Sequence, residues 1–280
     1  MTARGARGGG PEDLLALAEL AARQAGALIR DQRPADLQVA STKSSPTDVV
    51  TAMDTAAEAL LTATLLDARP DDGLLGEESG LRSGTSGLTW VVDPIDGTVN
   101  YLYDIPAYAV SVAVVEGEPQ PSSWRVVAGC VHNPRTDETW TATADGPALL
   151  NGVPVPGPRE VPLAQALVGT GFGYTVGRRR KQAQVVAALL PRVRDIRRIG
   201  SSALDLCALA SGRLDAYYER GLQPWDHAAA GLIASRAGAR VSGLNGTAAG
   251  AELLVAARPR LAEALWAELS GLDPLTDDLV

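Results

Sequence analysis

Apolar residues recur at helical spacing in two stretches near the start of the chain. The first extends from Leu14 to Ile29 within EDLLALAELAARQAGALIRDQ, and the second, TAAEALLTATLLDA, follows Asp54. Because residues three and four positions apart share one face of a helix, both stretches predict amphipathic helices.

Runs of β-branched and aromatic residues follow, either alternating with polar residues or continuous. They are TWVVD, YAVSVAVVEG, WRVVAGCVHNP and ETWTATADG. The runs are closely spaced and separated by turn-forming residues, which predicts an antiparallel sheet.

The pattern changes after LLNGVPVPGPREVPLAQ, a segment rich in proline and glycine. Beyond it, strand-like and helix-like segments alternate, as in ALVGTGF, QAQVVAALL and WDHAAAGLIASRAG. Such alternation is typical of an α/β arrangement. We therefore predict an α/β (α+β) chain with a disordered stretch at residues 1–11, an N-terminal antiparallel-sheet domain at 12–150 and a C-terminal α/β domain at 151–280.

The composition narrows the classes of function. The chain has 280 residues, 46% of them hydrophobic, and a formal net charge of −8. This charge disfavours a broad nucleic-acid surface, because binding phosphates without a metal requires an excess of Lys and Arg. We expect neither a signal peptide nor a membrane span, since no apolar run approaches the ~18 residues required. Cys130 and Cys207 lie in apolar stretches, which predicts buried free thiols and a cytoplasmic location.

Acidic residues occur at four places where a strand or loop precedes a predicted helix: TDVVTAMD, GEESG, VVDPIDGT and PWDHAAAG. Each has a plain structural explanation, such as helix capping by Asp54 and Asp226, a solvated loop at Glu77, and a turn at Asp93. Two aspartates in DPIDGT also repel each other, and a cation, a raised pKa or solvation could offset that repulsion. Together the four segments form an oxygen-rich set of donors, which suits Mg²⁺ better than Zn²⁺.

Three of these segments resemble the signatures of a known family. GEES, DPIDGT followed by an Asn and an aromatic residue, and WDHAAAG are similar to those of the inositol monophosphatase family of Mg²⁺-dependent, lithium-sensitive phosphatases. The resemblance extends over residues 12–265 and includes KSSPTDVVTAMD, GTGF, LLNG and RRIGSSALDLCALASGRLDAYYERGLQPWD. It implies a layered αβαβα sandwich, a homodimer and hydrolysis of phosphate monoesters.

The resemblance also implies a set of metal ligands. Glu77, Asp93 and the Ile95 carbonyl would hold a first Mg²⁺, and Asp93, Asp96 and Asp226 would hold a second. A third, weaker ion would lie near Glu77, completed mostly by waters. Carboxylates and backbone carbonyls are the ligands that hard cations prefer, and such ions would offset the repulsion within DPIDGT.

The same resemblance assigns the attacking water and the substrate contacts. Asp54 and Thr98 would orient and deprotonate the water, with Glu77 as the next candidate, so Asp54 is interpreted as a base and not as a cap. The backbone N–H groups of Gly97 and Thr98, at a helix start, would bind a phosphate oxygen. Glu219 would bind substrate hydroxyl groups.

Other positions have weaker assignments. Asp226 would also contact substrate, and Lys43 and Asp48 match a loop that closes over the metals, although either could be an ordinary surface residue. The basic run 178–181, within GRRRKQ, could contact an anionic substrate, but a solvated helix start is the preferred interpretation. His132 and His227 are interpreted as structural.

Three alternative functions can be compared with the sequence. Haloacid-dehalogenase-type phosphatases use Asp-x-Asp-Gly-Thr, but Pro94 occupies the nucleophile's position here and cannot attack phosphorus. A binding role in transcription or ribosome assembly would need no metal constellation. A static cation site would need no water-orienting pair such as Asp54 and Thr98.

We therefore predict a Mg²⁺-dependent phosphomonoesterase that hydrolyses myo-inositol monophosphate to inositol and phosphate. Related branches act on histidinol phosphate, fructose 1,6-bisphosphate or 3′-phosphoadenosine nucleotides with a similar metal site, so the same chemistry on one of these is the alternative. Glu219 in YYERG, followed by WD, favours inositol phosphate. The predicted partners are a small phosphorylated polyol and a second copy of the chain, without membrane or direct nucleic-acid contact.

Overall fold

A computed structural model of the protein describes residues 9–35, 37–42 and 49–277. The α-helices are α1 Pro11–Asp31, α2 Ala52–Ala68, α3 Thr98–Leu102, α4 Val176–Leu189, α5 Ser202–Ala210, α6 Pro224–Arg236 and α7 Pro259–Ser270. The strands are β1 Ser41–Thr42, β2 Val49–Val50, β3 Gly73–Gly76, β4 Gly80–Arg82, β5 Leu88–Asp96, β6 Ala109–Glu116, β7 Arg125–Asn133, β8 Glu138–Thr143, β9 Leu149–Leu150, β10 Val153–Pro154, β11 Leu167–Thr170, β12 Asp195–Arg197, β13 Ala216–Glu219, β14 Arg240–Ser242 and β15 Leu254–Ala257.

The first half of the chain forms an eight-stranded sheet in the order β10-β9-β8-β7-β6-β5-β3-β4. The neighbours from β10 to β5 are antiparallel, as the alternating pattern predicts. The pair β3 and β5 is parallel, which the sequence pattern did not predict. Strands β3 and β4 are short and glycine-rich, so they lack the β-branched runs on which the prediction of strands depends.

The second half forms a five-stranded mixed sheet in the order β12-β11-β13-β15-β14. Strand β11 is parallel to β12 and β13, while β15 is antiparallel to β13 and β14. The first sheet ends at Pro154 and the second begins at Leu167. This change of sheet lies close to the predicted domain boundary, although the domain limits themselves stay a prediction.

Three hydrophobic clusters hold five layers together, and the middle cluster spans two of the four interfaces. One cluster lies between helices α1 and α2 and one face of the first sheet, where Trp90 and Val92 of β5 point. The second cluster begins at the other face of the first sheet, where Val91 points. It surrounds helices α5 and α6 and ends at the second sheet. The third joins the second sheet to α4 and α7. Alternate residues of β5 therefore pack on opposite layers, as the two-residue period of a strand requires, and the order is helix, sheet, helix, sheet, helix.

Several predicted features can be located in this fold. Helix α1 begins at Pro11, at the end of the predicted disordered stretch, because proline suits the first helical turn where its missing N–H is not needed. Residues 1–8, Lys43 and Asp48 lie outside the described residues, and the predictions made for them remain untested. Cys130 and Cys207 are buried free thiols, as predicted. Within the ranges that the structure describes, no helix combines the length and apolarity needed to span a bilayer.

Candidate active site

Asp93 and Asp96 are brought together by an irregularity in strand β5. In a regular strand, residues three apart point to opposite faces of the sheet. Here Asp93 pairs with Ser111 and Asp96 pairs with Ala109, so three steps on β5 match two steps on β6. This is a β-bulge, which inserts one extra residue and restores both aspartates to the same side. The Asp93 carboxylate stabilises the bulge by accepting the Ile95 N–H at 3.0 Å.

Glu77 reaches the same place from the end of β3. Strands β3 and β5 are parallel, with Gly76 opposite Val92, so their carboxyl ends meet at one edge of the sheet. The loop after Glu77 is fixed by Glu58 of α2, whose carboxylate accepts the N–H groups of Glu78 at 2.8 Å and Ser79 at 2.7 Å. Gly76 leaves the space for this carboxylate, because a Cβ there would lie 2.6 Å from it.

Asp226 arrives from the second half of the chain. It occupies the third position of helix α6, where one carboxylate oxygen accepts the Gln223 N–H at 2.6 Å. Carboxylate oxygens of Asp93, Asp96 and Asp226 lie within 4.8 Å of one another. The structure thus assembles three carboxylates that the sequence places in two distant segments.

Burial and mutual repulsion raise the pKa of these groups. For Asp93, burial raises the pKa well above its ordinary value, and the charges of Glu77, Asp96 and Asp226 raise it further. Burial also raises the pKa of Asp226 well above its ordinary value, with Asp96 and Glu77 as the next causes. A divalent cation placed among these carboxylates would offset the repulsion.

Asp96 has additional support from helix α5. Its Oδ2 accepts hydrogen bonds from the Ser201 hydroxyl and the Ala203 N–H, both at 2.6 Å. Burial still raises the pKa of Asp96 to about 6 against the lowering effect of these bonds. No sequence motif predicted a role for Ser201. A serine before an apolar helix is a recognisable N-cap signal, but its contact with an aspartate 105 residues away depends on the fold.

Asp54 combines two roles that the sequence analysis treated as alternatives. It occupies the third position of helix α2 in a capping box, and its Oδ2 accepts the Thr51 N–H at 2.8 Å. Its Oδ1 accepts the Thr98 hydroxyl at 3.1 Å. The interpretation of Asp54 as a base and not a cap was therefore wrong in excluding the cap, because each carboxylate oxygen serves a separate partner.

Gly97 and Glu219 border the carboxylates. Gly97 has a φ of +100° and precedes the short helix α3, and a Cβ there would lie 2.9 Å from the Ala107 carbonyl oxygen. Glu219 ends strand β13, where its Oε2 accepts the Tyr217 hydroxyl at 2.5 Å. Burial raises the pKa of Glu219 to about 7. Gly171 leaves the space for Glu219, because a Cβ at Gly171 would collide with that carboxylate.

A cavity of about 460 Å³ joins most of the predicted site residues, a size typical of sites for small molecules. The predicted residues that line it are Glu77, Asp93, Ile95, Asp96, Gly97, Thr98, Glu219 and Asp226. Asp54 reaches the cavity through Thr98. Of the basic run 178–181, Arg178 lines the cavity, whereas Arg179 lies over the Tyr174 ring at 5.7 Å. His132 and His227 are buried away from the solvent, and burial lowers the pKa of each to about 4.

The donors present fit a hard divalent cation. They are carboxylate oxygens and the Ile95 carbonyl, and the three clustered aspartates have pKa values raised by burial and by one another. Oxygen-only donor sets favour Mg²⁺ over softer metals such as Zn²⁺. The acidic cluster is therefore suited to magnesium.

Comparison with known proteins decides the family. Residues 11–273 match the inositol monophosphatase family. The chain belongs to this family. The resemblance inferred from GEES, DPIDGT and WDHAAAG is confirmed.

Relatives of the inositol monophosphatase family align with nearly the whole chain. A Mycobacterium leprae protein named inositol-1-monophosphatase is 46% identical over 289 residues, covering 95% of this chain and 98% of the relative. An Escherichia coli protein named Nus factor SuhB is 36% identical over 274 residues, covering 95% and 98%. The solved structure of Mycobacterium tuberculosis SuhB is 43% identical, with a TM-score of 0.80, covering 96% of this chain and 100% of that one. The predicted layered α/β fold is confirmed.

Proposed function

We propose that the protein hydrolyses myo-inositol monophosphate to inositol and phosphate in a Mg²⁺-dependent reaction. The observation that carries this proposal is the meeting of Asp93, Asp96 and Asp226 within 4.8 Å on a cavity that also contains Thr98 and Glu219. The family and the inositol-1-monophosphatase of Mycobacterium leprae support a phosphoric monoester hydrolase with this substrate.

The residues that would hold magnesium follow from the donor set. Glu77, Asp93 and the Ile95 carbonyl would hold one ion, and Asp93, Asp96 and Asp226 would hold a second, with a third near Glu77. When bound, Mg²⁺ supplies charge stabilisation for the phosphoryl group and lowers the pKa of a coordinated water. Asp93 would be shared by two ions, whose charges would offset the burial and the neighbouring charges of Glu77, Asp96 and Asp226 that raise its pKa.

Asp54 and Thr98 would position the attacking water and remove its proton. With the Ile95 carbonyl taken by a cation, the Thr98 hydroxyl would donate its hydrogen to Asp54 Oδ1 and its oxygen lone pairs would accept a hydrogen from the water. Burial raises the pKa of Asp54 to about 6, close to neutral pH, which is favourable for a general base. The proton of the water would pass through the Thr98 hydroxyl to Asp54.

The phosphate and the polyol would be held by different groups. The N–H groups of Gly97 and Thr98 at the start of α3 would donate to a phosphate oxygen, since the glycine lets the backbone approach closely. The Tyr217 hydroxyl occupies Oε2 of Glu219 and leaves Oε1 for a hydroxyl of the polyol. Asp226 would contact both a metal ion and the substrate.

The assay that tests the function measures phosphate release from four substrates. They are myo-inositol monophosphate, histidinol phosphate, fructose 1,6-bisphosphate and a 3′-phosphoadenosine nucleotide, each with Mg²⁺ and with chelator. We expect the highest kcat/KM for inositol monophosphate and no turnover with chelator. A higher kcat/KM for another ester would support the proposed reaction but show that inositol monophosphate is not the preferred substrate. Turnover in chelator would contradict the proposal.

Two further properties are proposed from family membership. We expect millimolar lithium to inhibit phosphate release and the protein to be a homodimer. Inhibition curves with lithium and sodium chloride at equal ionic strength test the first, and light scattering during size-exclusion chromatography tests the second. A monomer, or equal responses to both salts, would contradict them.

A binding role without catalysis is the second candidate. The name Nus factor SuhB, carried by the Escherichia coli relative, is the observation that favours it. The retained pair Asp54 and Thr98 favours catalysis, because binding alone requires no group that orients a water. Full turnover by the purified protein would show that the catalytic function is present.

A further inference from the structure

The active cavity has a basic end as well as an acidic one. Arg178 and Arg220 line the same cavity as Asp93 and Asp226. Asp93 is 2% exposed, whereas the Arg178 and Arg220 side chains are 30% and 14% exposed. Asp93 is therefore more deeply buried than either arginine.

The fold makes specific room for the Arg178 side chain. Arg178 lies in the first turn of α4, between two glycines of the cavity wall. A Cβ at Gly173 would lie 2.6 Å from Arg178 Cδ, and a Cβ at Gly221 would lie 2.6 Å from Arg178 Nη1. Gly221 also has a φ of +100°, a conformation that other residues rarely adopt. Arg178 is thus held in a glycine-lined slot and is not a freely solvated helix residue.

Arg220 approaches from the neighbouring element. It directly follows Glu219 at the end of β13, the residue assigned to the hydroxyl groups of the polyol. Glu219 and Arg220 both line the cavity, so a polyol bound at Glu219 would share that cavity with the Arg220 side chain. The two arginines therefore line the cavity in which the polyol would bind.

A carboxylate of the chain itself lies against both arginines. Arg220 Nη1 donates to Asp277 Oδ1 at 2.5 Å, and Arg178 Nε lies 3.6 Å from the same oxygen. That distance is too long for a hydrogen bond, and Arg178 Nε is buried without a hydrogen-bond partner. Asp277 belongs to the segment after α7 and lines the cavity. A single carboxylate oxygen therefore contacts a two-arginine site and satisfies it only in part.

We propose that Arg178 and Arg220 form a second anion subsite, which binds the second phosphate of a polyol bisphosphate and which Asp277 covers in its absence. The proposal rests on the proposed function, because the first phosphate must be held at the carboxylate end of the cavity. The subsite adds a preference among substrates of that same reaction: bisphosphates gain a contact that monophosphates lack.

A phosphate is the better ligand for this subsite for two reasons. It carries about −1.5 to −2 charges near pH 7 and three acceptor oxygens, whereas a carboxylate carries one charge and two oxygens. Its additional oxygens can reach the unpartnered Nε of Arg178 while Arg220 remains paired. Both anions are tethered, Asp277 by the chain and the phosphate by the bound polyol, so the stronger pairing decides which one occupies the subsite.

The test compares initial rates on two substrates, myo-inositol 1-phosphate and myo-inositol 1,4-bisphosphate, in saturating Mg²⁺. The measured quantity is the ratio of kcat/KM for the bisphosphate to kcat/KM for the monophosphate. We expect Arg220→Met and Arg178→Met each to lower this ratio by about tenfold, the effect of losing one charge-assisted hydrogen bond. Asp277→Asn removes the competing charge and should raise the ratio several-fold.

Matched controls remove the same charges outside the cavity. Arg180→Met removes another arginine of α4, which is exposed and does not line the cavity, and Asp273→Asn removes an exposed carboxylate of the same C-terminal segment. Asparagine tolerates the positive φ of Asp273. Both controls should leave the ratio within twofold of wild type. Thermal unfolding of every variant shows whether the substitution disturbed the fold.

The outcomes separate this inference from the proposed function. If the wild-type protein releases no phosphate from either substrate, the proposed function fails. If it hydrolyses the monophosphate and the ratio stays within twofold of wild type in folded Arg220→Met, Arg178→Met and Asp277→Asn, the subsite is wrong and the function stands. Equal changes in the two controls would also overturn the subsite, because a general loss of charge would then explain the effect.

Discussion

The Thr98 hydroxyl lies 3.1 Å from Oδ1 of Asp54, a residue 44 positions earlier in the chain, and 3.0 Å from the Ile95 carbonyl oxygen. A hydroxyl has one hydrogen to donate, so it cannot satisfy both acceptors fully at once. If a cation takes the Ile95 carbonyl, the hydrogen is left for Asp54. Metal binding would then fix the orientation of the hydroxyl that holds the water.

Removing this hydroxyl should impair turnover more than binding. We expect Thr98→Ala to lower kcat by about 10²- to 10⁴-fold, the range for losing a positioned proton acceptor, with little change in KM. Thr98→Ser keeps the hydroxyl and is the matched control, which should retain most of the activity. Steady-state kinetics over a range of Mg²⁺ concentrations measures both. Wild-type kcat with weaker substrate or Mg²⁺ binding would instead make Thr98 a phosphate-binding or capping residue.

Asp93 is expected to be the most sensitive of the carboxylates. Asp93→Asn keeps the shape of the side chain but removes the charge shared by the proposed metal sites. The loss of activity should exceed the about 10- to 100-fold typical of a group that only supports a ligand. Asp71→Asn, at an exposed position before β3, is the control. Phosphate release and circular dichroism would be measured together, and near-normal turnover by folded Asp93→Asn would refute the shared-ligand assignment.

In the metal-free protein, the buried carboxyl groups of the site should lose their contribution to stability as the pH rises. Burial raises the pKa of Asp54 and Asp96 to about 6 and that of Glu219 to about 7, above the unfolded values of about 4. When the pKa of a carboxyl group is higher in the folded than in the unfolded protein, the group contributes its full stabilisation at pH values below the unfolded pKa. This contribution is lost as the pH rises through the folded pKa. Over the same range His132 and His227, whose pKa burial lowers to about 4, add stability as the pH rises. The carboxyl contribution is therefore measured as a difference: in chelator, Glu219→Gln should make the change in melting temperature from pH 5 to pH 7.5 more positive than in wild type.

Magnesium should reverse this loss, because a ligand that binds only the folded state stabilises it by mass action. The increase in melting temperature on adding Mg²⁺ should be larger at pH 7.5 than at pH 5, and Asp226→Asn should reduce it. Differential scanning calorimetry measures the shifts. An identical melting temperature with and without Mg²⁺ at pH 7.5 would favour helix capping as the sole role of these carboxylates.

Glu58 should affect Mg²⁺ binding although it is not a proposed metal ligand. Its carboxylate accepts two N–H groups of the loop that carries Glu77, so Glu58→Ala leaves both donors without their partner. We expect the Mg²⁺ concentration for half-maximal activity to rise by about 10- to 100-fold, the usual effect of losing a group that orients a metal ligand. Glu58→Gln keeps one acceptor and should have a smaller effect. If both variants bind Mg²⁺ like wild type in calorimetric titrations, the loop is held by other contacts.

Much of the fold could be predicted, because local patterns determine it. The helix from Leu14 to Ile29 was found as part of α1, and the long antiparallel strands were found from their β-branched runs. Strands β3 and β4 were missed, since their glycine-rich sequences resemble loops. The parallel pairing of β3 with β5, which carries Glu77 to Asp93, was missed for the same reason.

The site was predictable only where a residue belongs to a recognisable motif. Asp93, Asp96 and Asp226 were identified in this way, and the structure brings them together. Ser201, which bonds to Asp96, and Asp277, which pairs with Arg220, were not identified. Their contacts join positions 105 and 57 residues apart, and no local pattern reports such distances.

Because strand β5 contains an extra residue, the acidic cluster depends on the number of residues between its aspartates as well as on their chemistry. Asp93 and Asp96 are an odd number of positions apart, and only the bulge makes their separation equivalent to an even one. A deletion of one residue between them would keep both aspartates and could restore a regular ladder, with both on one face. A one-residue insertion in β6 between Ala109 and Ser111 would remove the bulge from the other side, leaving the aspartates three apart on a regular strand and on opposite faces. The parity of a four-residue segment thus determines whether two carboxylates can share a cation.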